Sequence, residues 1–527
     1  MTWSQLGHWK NFLPNRLKSM NEDLERAKHH FQLALNALND ENFFNAESEL
    51  REANQLTPDR ASILTNLSAV LVHQHKWSEA IYFCTRLLNL EPNNLEGLIN
   101  LGVCQLRANE PDAALVQFNR AIEVDPLSPL GWVNKANILL EQELFLEARA
   151  CFLKSLELDP NSEESLIGLG NLYNEQKEYR KALECLSSAL AINPNNAQAQ
   201  WNKALSLLRL GFFNEGWKLY EARWLIPGMR EHAKQFTAAL WHGKESLKDK
   251  TILIYAEQGY GDTVQFARYV PLIESMGAKV IFQVQKPLLE LMSTLSTTVE
   301  VVEDNTQNLQ KYFKIDFYCP IMSLALAFNT ATETIPENVP YLFSDMKKRL
   351  VWREKLSKLS SKFSPSNSKP LRVGITWSGS GHYAGKKNLK RDIPYALIED
   401  FLSTHRAQNI EFHCLHPEIN LEVINAPHHN LFMHCNDLGN FSDTASLMDE
   451  LDIILSTDTA SAHLAGSLNK ECLLLLPDPP DFMSLVDRED SPWYPSIRLL
   501  RQVESRNWMD PLNQVSQILN LKVNDRT

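Results

Sequence analysis

The chain has no surplus of positive charge: 52 Lys and Arg stand against 64 Asp and Glu in 527 residues, a formal net charge of −12. That excludes a general nucleic-acid binder, whose phosphate contacts need clustered basic side chains, and leaves room for a local basic pocket. No cysteine pair stands at C-x-x-C spacing. The eight cysteines (Cys84, Cys104, Cys151, Cys185, Cys319, Cys414, Cys435 and Cys472) are scattered through apolar patterns, which argues against a zinc or redox motif and for reduced, mostly buried thiols. The first twenty residues carry Lys10, Arg16 and Lys18 without the apolar run of a signal peptide. No later stretch is long and apolar enough to span a bilayer, so a soluble, cytoplasmic protein without a transmembrane segment is expected. Two nucleotide motifs are missing as well. In "TILIYAEQGYGDTVQFARYVP" Val264 stands where G-x-G-x-x-G needs its third glycine, and no Gly-Lys-Ser/Thr follows.

What is present begins with a period. Pro58, Pro92, Pro126, Pro160 and Pro194 recur every 34 residues, and such regularity means structural repeats. Ala46, Ala80, Ala114, Ala148, Ala182 and Gly216 keep the same interval, as do Ser68, Gly102, Ala136, Gly170 and Ala204. Apolar residues recur at helical spacing within each unit, as in "SILTNLSAVLVHQHKWSEAIYFCTRLLNLEP", so one unit predicts two antiparallel helices that touch at the small residues. This resembles the tetratricopeptide pattern over 24–235, after an N-terminal tail of 1–23, and implies a right-handed superhelix of five or six units with a concave groove. Asn66, Asn100, Asn134 and Asn202 form a second series, broken by Gly168. An amide that donates and accepts at once suits an extended peptide backbone. In the O-linked N-acetylglucosamine transferases, which also join such an array to a catalytic region, asparagines at the equivalent position bind polypeptide. The alternative is that Asn is simply a polar choice facing solvent.

Beyond the repeats, short apolar strands alternate with helices, the signature of βαβ units. Strands are expected at 251–256, 279–284, 299–302 and 315–319, with a helix after Asp262 and another over "PLLELMSTL". The stretch 357–370, "KLSSKFSPSNSKP" with its neighbours, reads as a linker. A second set of strands follows at 371–377, 411–415, 452–456 and 472–476. Two doubly wound domains, 245–356 and 371–527, would face each other across a cleft. The fold class expected is therefore α plus α/β: a tetratricopeptide superhelix followed by a two-domain, double Rossmann-like GT-B glycosyltransferase fold.

"AEQGYGDTVQFARYVPLIESMGAKV", "VGITWSGSGH", "STDTASAHLAGSLNKECLLLLP" and "REDSPWYPSIRLLRQ" together resemble bacterial proteins that fuse tetratricopeptide repeats to a heptosyltransferase-like glycosyltransferase region. The resemblance covers about 240–510. It implies an acceptor-side domain first and a nucleotide-sugar domain second. By that resemblance Gly261-Asp262 matches the Gly-Asp pair whose aspartate is the proposed base for the acceptor hydroxyl, and Gln258 and Gly259 belong to the same acceptor-side loop. Glycines let backbone approach substrate, and a helix start offers unpaired N–H groups. The plain alternative for Asp262 is a helix N-cap, and Glu257 is a second candidate for the base.

Leaving-group charge in a metal-free enzyme must be met by cationic side chains and helix N-termini. "SGSGHYAGKKNLKRDIP" offers Ser378, Ser380, His382, Lys386, Lys387, Lys390 and Arg391, of which Arg391 matches the family's arginine while the Lys-Lys-Asn stretch departs from its pattern. The D-T-x-x-x-H segment implies donor contacts from Asp458, Thr459, Ala460 and His463. His413 and His416 flank a strand end where this fold class holds the nucleotide base; exposed loop histidines are the alternative. No D-x-D or paired His/carboxylate cluster suggests a metal. Trp493, Tyr494 and Arg501 match the family pattern and read as structural. The function expected is a metal-independent, inverting transfer of sugar from a nucleotide-sugar donor, with no cofactor and with a protein or peptide in the repeat groove. A scaffold of the same fold without activity, or a transferase acting on lipid or polysaccharide, are the alternatives.

Overall fold

In the computed structural model, the described residues are 4–234, 236–305, 313–363, 369–379, 382–383, 386–387, 390–417, 428 and 430–526. Contacts divide the chain into two units, Met1–Asn174 with Arg180–Pro194, and Glu175–Tyr179 with Asn195–Thr527.

The period becomes six helical pairs: Ser4–Asn39 with Phe43–Leu56, Ala61–His73 with Trp77–Leu90, Leu95–Arg107 with Pro111–Val124, Pro129–Glu141 with Phe145–Leu158, Glu163–Glu175 with Tyr179–Ile192, and Ala197–Arg209 with Phe213–Tyr220. Small residues stand where helices touch. Ala46, Ala80, Ala114, Ala148 and Ala182 are fully buried, and a Cβ added at Gly102, Gly170 or Gly216 would come within 2.6–2.7 Å of Phe118, Leu186 or Leu208. The first helix begins at Ser4, so the 1–23 segment is mostly helical instead of a separate tail; Leu6, Leu13, Leu17 and Leu24 recur there at helical spacing.

The last helical pair keeps the 34-residue period yet falls in the second unit, whose main segment begins at Asn195. The reason is packing. Ala204, Leu208, Phe213, Trp217 and Tyr220 share one buried cluster with Ile252, Ile254 and Phe266.

Two parallel sheets follow, with the eight expected strands in place and three more, Ala239–Leu240, Leu431–Met433 and Ile497–Arg501, added to them. The first sheet holds β1 (Ala239–Leu240), β2 (Thr251–Tyr255), β3 (Lys279–Val284), β4 (Glu300–Glu303) and β5 (Phe317–Pro320) in the order β1-β5-β2-β3-β4. The second holds β6 (Leu371–Thr376), β9 (Ile410–Cys414), β10 (Leu431–Met433), β11 (Ile453–Thr457), β12 (Cys472–Leu476) and β13 (Ile497–Arg501) in the order β10-β9-β6-β11-β12-β13. Between β6 and β9 the chain also pairs β7 (His382–Tyr383) with β8 (Lys386–Lys387). One apolar cluster contains Ile254 and Phe282 of the first sheet together with Ile454 and Leu474 of the second. The second sheet's other face has its own cluster around Val373, Ile375, Leu455, Trp508 and Val515.

The linker expected over 357–370 is in part a helix, Met346–Phe363. One of its serines is not a solvent spacer: Ser360 Oγ donates to Glu411 Oε2 at 2.9 Å and accepts from Arg372 Nη2 at 2.9 Å, while Trp352 and Leu356 are buried.

Candidate functional site

A doubly wound sheet binds ligands at the carboxyl ends of the two strands between which its order reverses. In the first sheet these are β2 and β5, and the crevice is already filled. Glu257, just after β2, takes Arg223 Nε at 2.7 Å and Nη2 at 3.1 Å and accepts from the Met322 backbone N–H at 2.9 Å. Arg223 also donates to Ser323 Oγ at 2.7 Å and to Glu221 at 2.6 Å. The Glu257 carboxylate, expected as a candidate base, is therefore buried and committed to Arg223.

In the second sheet the order reverses between β6 and β11, and here the expected donor residues converge. β6 leads into half-buried Ser378 and Gly379, while β11 leads into Asp458 and Thr459. Thr459 is the N-cap of the helix Ala460–Ser467, with its hydroxyl 3.1 Å from Ser456 Oγ. A Cβ at Gly379 would lie 3.1 Å from Arg391 Nη2 and 3.8 Å from Thr459 Cγ2, so glycine there lets the guanidinium close over the strand end. The buried hydroxyls of Thr376 and Thr457 and the Arg391 Nε find no hydrogen-bond partner among the described residues. Buried polar atoms are ordinarily paired, so these are available to a ligand or to ordered water.

The remaining loop expectations divide. Ser380 lies outside the described residues, as do the side chains of His382, Lys386 and Lys387, and Lys390 pairs with Glu175 at 2.7 Å. His413 and His416 are buried, not exposed loop residues. His413 stacks on Phe432 and His434 and places Nδ1 3.1 Å from His434 Nε2, inside the sheet, because β9 is covered on both sides. Burial pushes the His434 pKa down to about 3.

Opposite the second sheet's crevice stands the loop after β2. The helix there starts at Tyr260, earlier than expected, with exposed Gly259 as N-cap; Asp262 lies inside its first turn and its Oδ2 accepts from the Gly259 N–H at 3.0 Å. Asp262 is thus not the N-cap but the residue that reaches back to it. Gln258 reaches Tyr220 Oη at 3.4 Å. Gly261 has a tertiary reason for being glycine: an added Cβ would sit 2.8 Å from His463 Cδ2, 3.4 Å from its Nε2 and 3.6 Å from Ala460 Cα. The two helix starts are in direct contact, and the site brings Asp262, Asp458, Thr459, Ala460 and His463 together.

Its electrostatics are unusual. Burial, then the carboxylates of Asp481, Glu257 and Asp458, raise the Asp262 pKa to about 7 against the pull of the Gly259 N–H. Burial also raises Asp458, with Arg391 opposing, and surrounding protein together with Asp458 raises Asp481. Burial lowers His463 to about 4, so its ring is neutral near pH 7. Its Nε2 lies 4.0 Å from Asp458 Oδ1. Sequence reading missed Asp481, which no motif marks, and gave Tyr494 no part in the site, although its hydroxyl lies 3.3 Å from His463 Nδ1. A cavity of about 320 Å³ lies elsewhere, lined by Phe213, Trp217, Lys218, Ala325 and Thr330 among others.

Comparison with known proteins bears on the helical array. Models described as tetratricopeptide or TPR repeat match residues 71–136, 131–162, 151–184 and 170–211. Residues 71–211 are tetratricopeptide repeats. Protein FlbA of Caulobacter vibrioides is 24% identical over 341 residues, 61% of this chain, which spans 55% of the length of that relative. A tetratricopeptide repeat protein from Parabacteroides merdae is 17% identical with a TM-score of 0.33, covering 40% of this chain and 83% of that one. YrrB, described as a TPR protein with an unusual peptide-binding site, is 23% identical with a TM-score of 0.29, covering 36% and 97%. No helix among the described residues is long and apolar enough to cross a membrane.

Within the tetratricopeptide repeats the asparagine series is partly self-satisfied. Asn66 Nδ2 donates to Ser62 O at 2.8 Å and Asn134 Nδ2 to Leu130 O at 2.9 Å, each one turn back, while Asn100 Nδ2 reaches Ser68 Oγ at 3.4 Å. Asn202, in the second unit, is buried, with Oδ1 accepting from Gln198 at 2.9 Å. Gly168 interrupts the series because Phe152 fills the space: a Cβ would meet it at 2.3 Å.

Proposed function

We propose that the second unit is a glycosyltransferase of the GT-B plan, binding a nucleotide-sugar donor at the carboxyl end of the six-stranded sheet and using Asp262 as the base in a metal-independent, inverting transfer. The observation that carries this reading is the crevice between β6 and β11. There Ser378, Arg391, Asp458, Thr459 and the start of Ala460–Ser467 meet, directly against the turn holding Asp262. Arg391 and the helix N-terminus supply positive potential for a leaving diphosphate. Asp262 takes the proton of an acceptor hydroxyl, whose oxygen attacks the anomeric carbon as the bond to the diphosphate breaks and the electron pair leaves with phosphate oxygen. A carboxylate with a pKa near 7 is a better base than an ordinary one, and about half of it is ionised at pH 7. The tetratricopeptide repeats suit a protein or peptide acceptor, which is why a protein substrate is favoured over lipid or polysaccharide.

Calorimetry and thermal shift with UDP, GDP, ADP, CMP and their sugar conjugates test this. A nucleotide at a hundred times its Kd adds about 2.7 kcal/mol to stability, and Thr459→Ala and Arg391→Ala should each abolish that gain. If no nucleotide stabilises the protein at millimolar concentration, the second unit is a binding scaffold and not a transferase.

A further inference from the structure

His463 is held from both edges of its ring. The Cδ2–Nε2 edge lies against Gly261 and towards Asp458, while Nδ1 lies 3.3 Å from the Tyr494 hydroxyl, the two rings edge to face at 5.9 Å. Tyr494 is itself fixed. Its ring lies where a Cβ at Gly466 would approach to 2.4 Å, and Arg268 stacks over it at 4.6 Å while donating to Trp493 O at 2.8 Å. Tyr494 Oη is 3.3 Å from Tyr341 Oη, whose own proton goes to Val264 O at 2.9 Å. Arg268 adds a contact to Tyr341 Oη at 3.4 Å. All four side chains Arg268, Tyr341, Trp493 and Tyr494 are at least nine-tenths buried, and they join the turn after β2 to the loop before β13.

We propose that Tyr494 is the positioning residue that fixes His463 with its proton on Nε2, so that the ring presents one N–H donor to the crevice between β6 and β11. Proton accounting supports it. Tyr341 has spent its proton on Val264, so the Tyr494 proton has two acceptors within reach, Tyr341 Oη and His463 Nδ1. A carboxylate on the Nε2 side favours the N–H there, which leaves Nδ1 as the acceptor for Tyr494. In a neutral imidazole the hydrogen bond at one nitrogen decides which nitrogen carries the proton. An Nε2–H donor suits an anionic oxygen of the donor diphosphate, and this use of the tautomer rests on the transferase reading above.

The test is nitrogen-15 NMR of histidine-labelled full-length protein at pH 7, with the His463 signals identified by their loss in His463→Gln. The wild type should show protonated Nε2 and unprotonated Nδ1, and Tyr494→Phe, which keeps the ring and removes the hydroxyl, should give a mixture of tautomers. A wild-type His463 protonated on Nδ1, or a Tyr494→Phe protein with an unchanged tautomer, overturns the proposal whether or not the protein binds nucleotide. If Tyr494→Phe fails to fold, Tyr341→Phe and the wild-type spectrum decide: removing Tyr341 Oη leaves Nδ1 as the sole acceptor and should keep the Nε2 tautomer. Where a nucleotide sugar is hydrolysed, Tyr494→Phe should lower kcat at least tenfold, as wrong-tautomer variants of orienting pairs do, with KM for the donor nearly unchanged.

Discussion

At the residue scale the site is a balance of neighbouring carboxyl groups. Asp262 faces Asp458 and Asp481 and keeps its proton to about pH 7. If Asp262 is the base, kcat/KM for transfer should rise about tenfold per pH unit below 7 and level off above it. Asp262→Asn should lose a factor of about 10² or more while still binding nucleotide. Stability carries the opposite sign. The folded protein holds this proton where the unfolded chain has released it, so the wild type loses stability between about pH 4 and 7 as pH rises. Asp262→Asn escapes that loss. Its Tm relative to wild type should climb by a few degrees over the same window, and a flat difference would mean that the carboxyl is not raised. The motif residues Asp458, Thr459 and His463 are legible in the sequence because they follow a strand at fixed spacing. Asp481 is not legible, since only folding brings the turn after β12 beside Asp262.

At the scale of elements, glycine and small residues mark close approaches whose partners lie far along the chain. Gly261 is required by His463, some two hundred positions away, and not by the turn itself. Gly261→Ala should cost about 1–3 kcal/mol, as overpacking does, and should displace His463, which a shifted His463 signal and lost nucleotide stabilisation would both report. An unchanged Tm would show that the two helix starts separate readily. The strands at β2, β3, β6, β11 and β12 stand out as apolar runs bounded by turn residues. β1, β10 and β13 do not: two are short edge strands, and in β13 Arg498 and Arg501 interrupt the run. The turns inside the helical pairs show the reverse case. Glu41, His75, Asn109, Glu143, Lys177 and Gly211 all take left-handed backbone at the 34-residue interval, yet only Gly211 and Asn109 are residue types that strongly favour such a conformation, so the glutamates and the lysine there give no local sign of it.

At the scale of the whole molecule, Arg223 links the last tetratricopeptide pair to the first sheet within the second unit, plugging the crevice where a ligand would otherwise sit. Removing one partner of a buried ion pair leaves the other charge uncompensated, so Arg223→Met should cost about 3–5 kcal/mol in chemical denaturation. A fragment spanning 195–527 should fold with a cooperative transition, and one spanning 236–527 should not, because it lacks Trp217, Tyr220 and Arg223. Circular dichroism melts of the two fragments check this, and a cooperative 236–527 would refute the shared core. The repeat period, the alternation of strands and helices, and the motif residues at strand ends are all legible along the chain, because each is a local pattern of size, polarity and spacing. Only folding pairs Glu257 with Arg223, sets Gly261 against His463, brings Tyr494 to its Nδ1 and packs the last repeat on the α/β core. Those outcomes depend on which surfaces meet and which charges lose their water, and no local pattern records either.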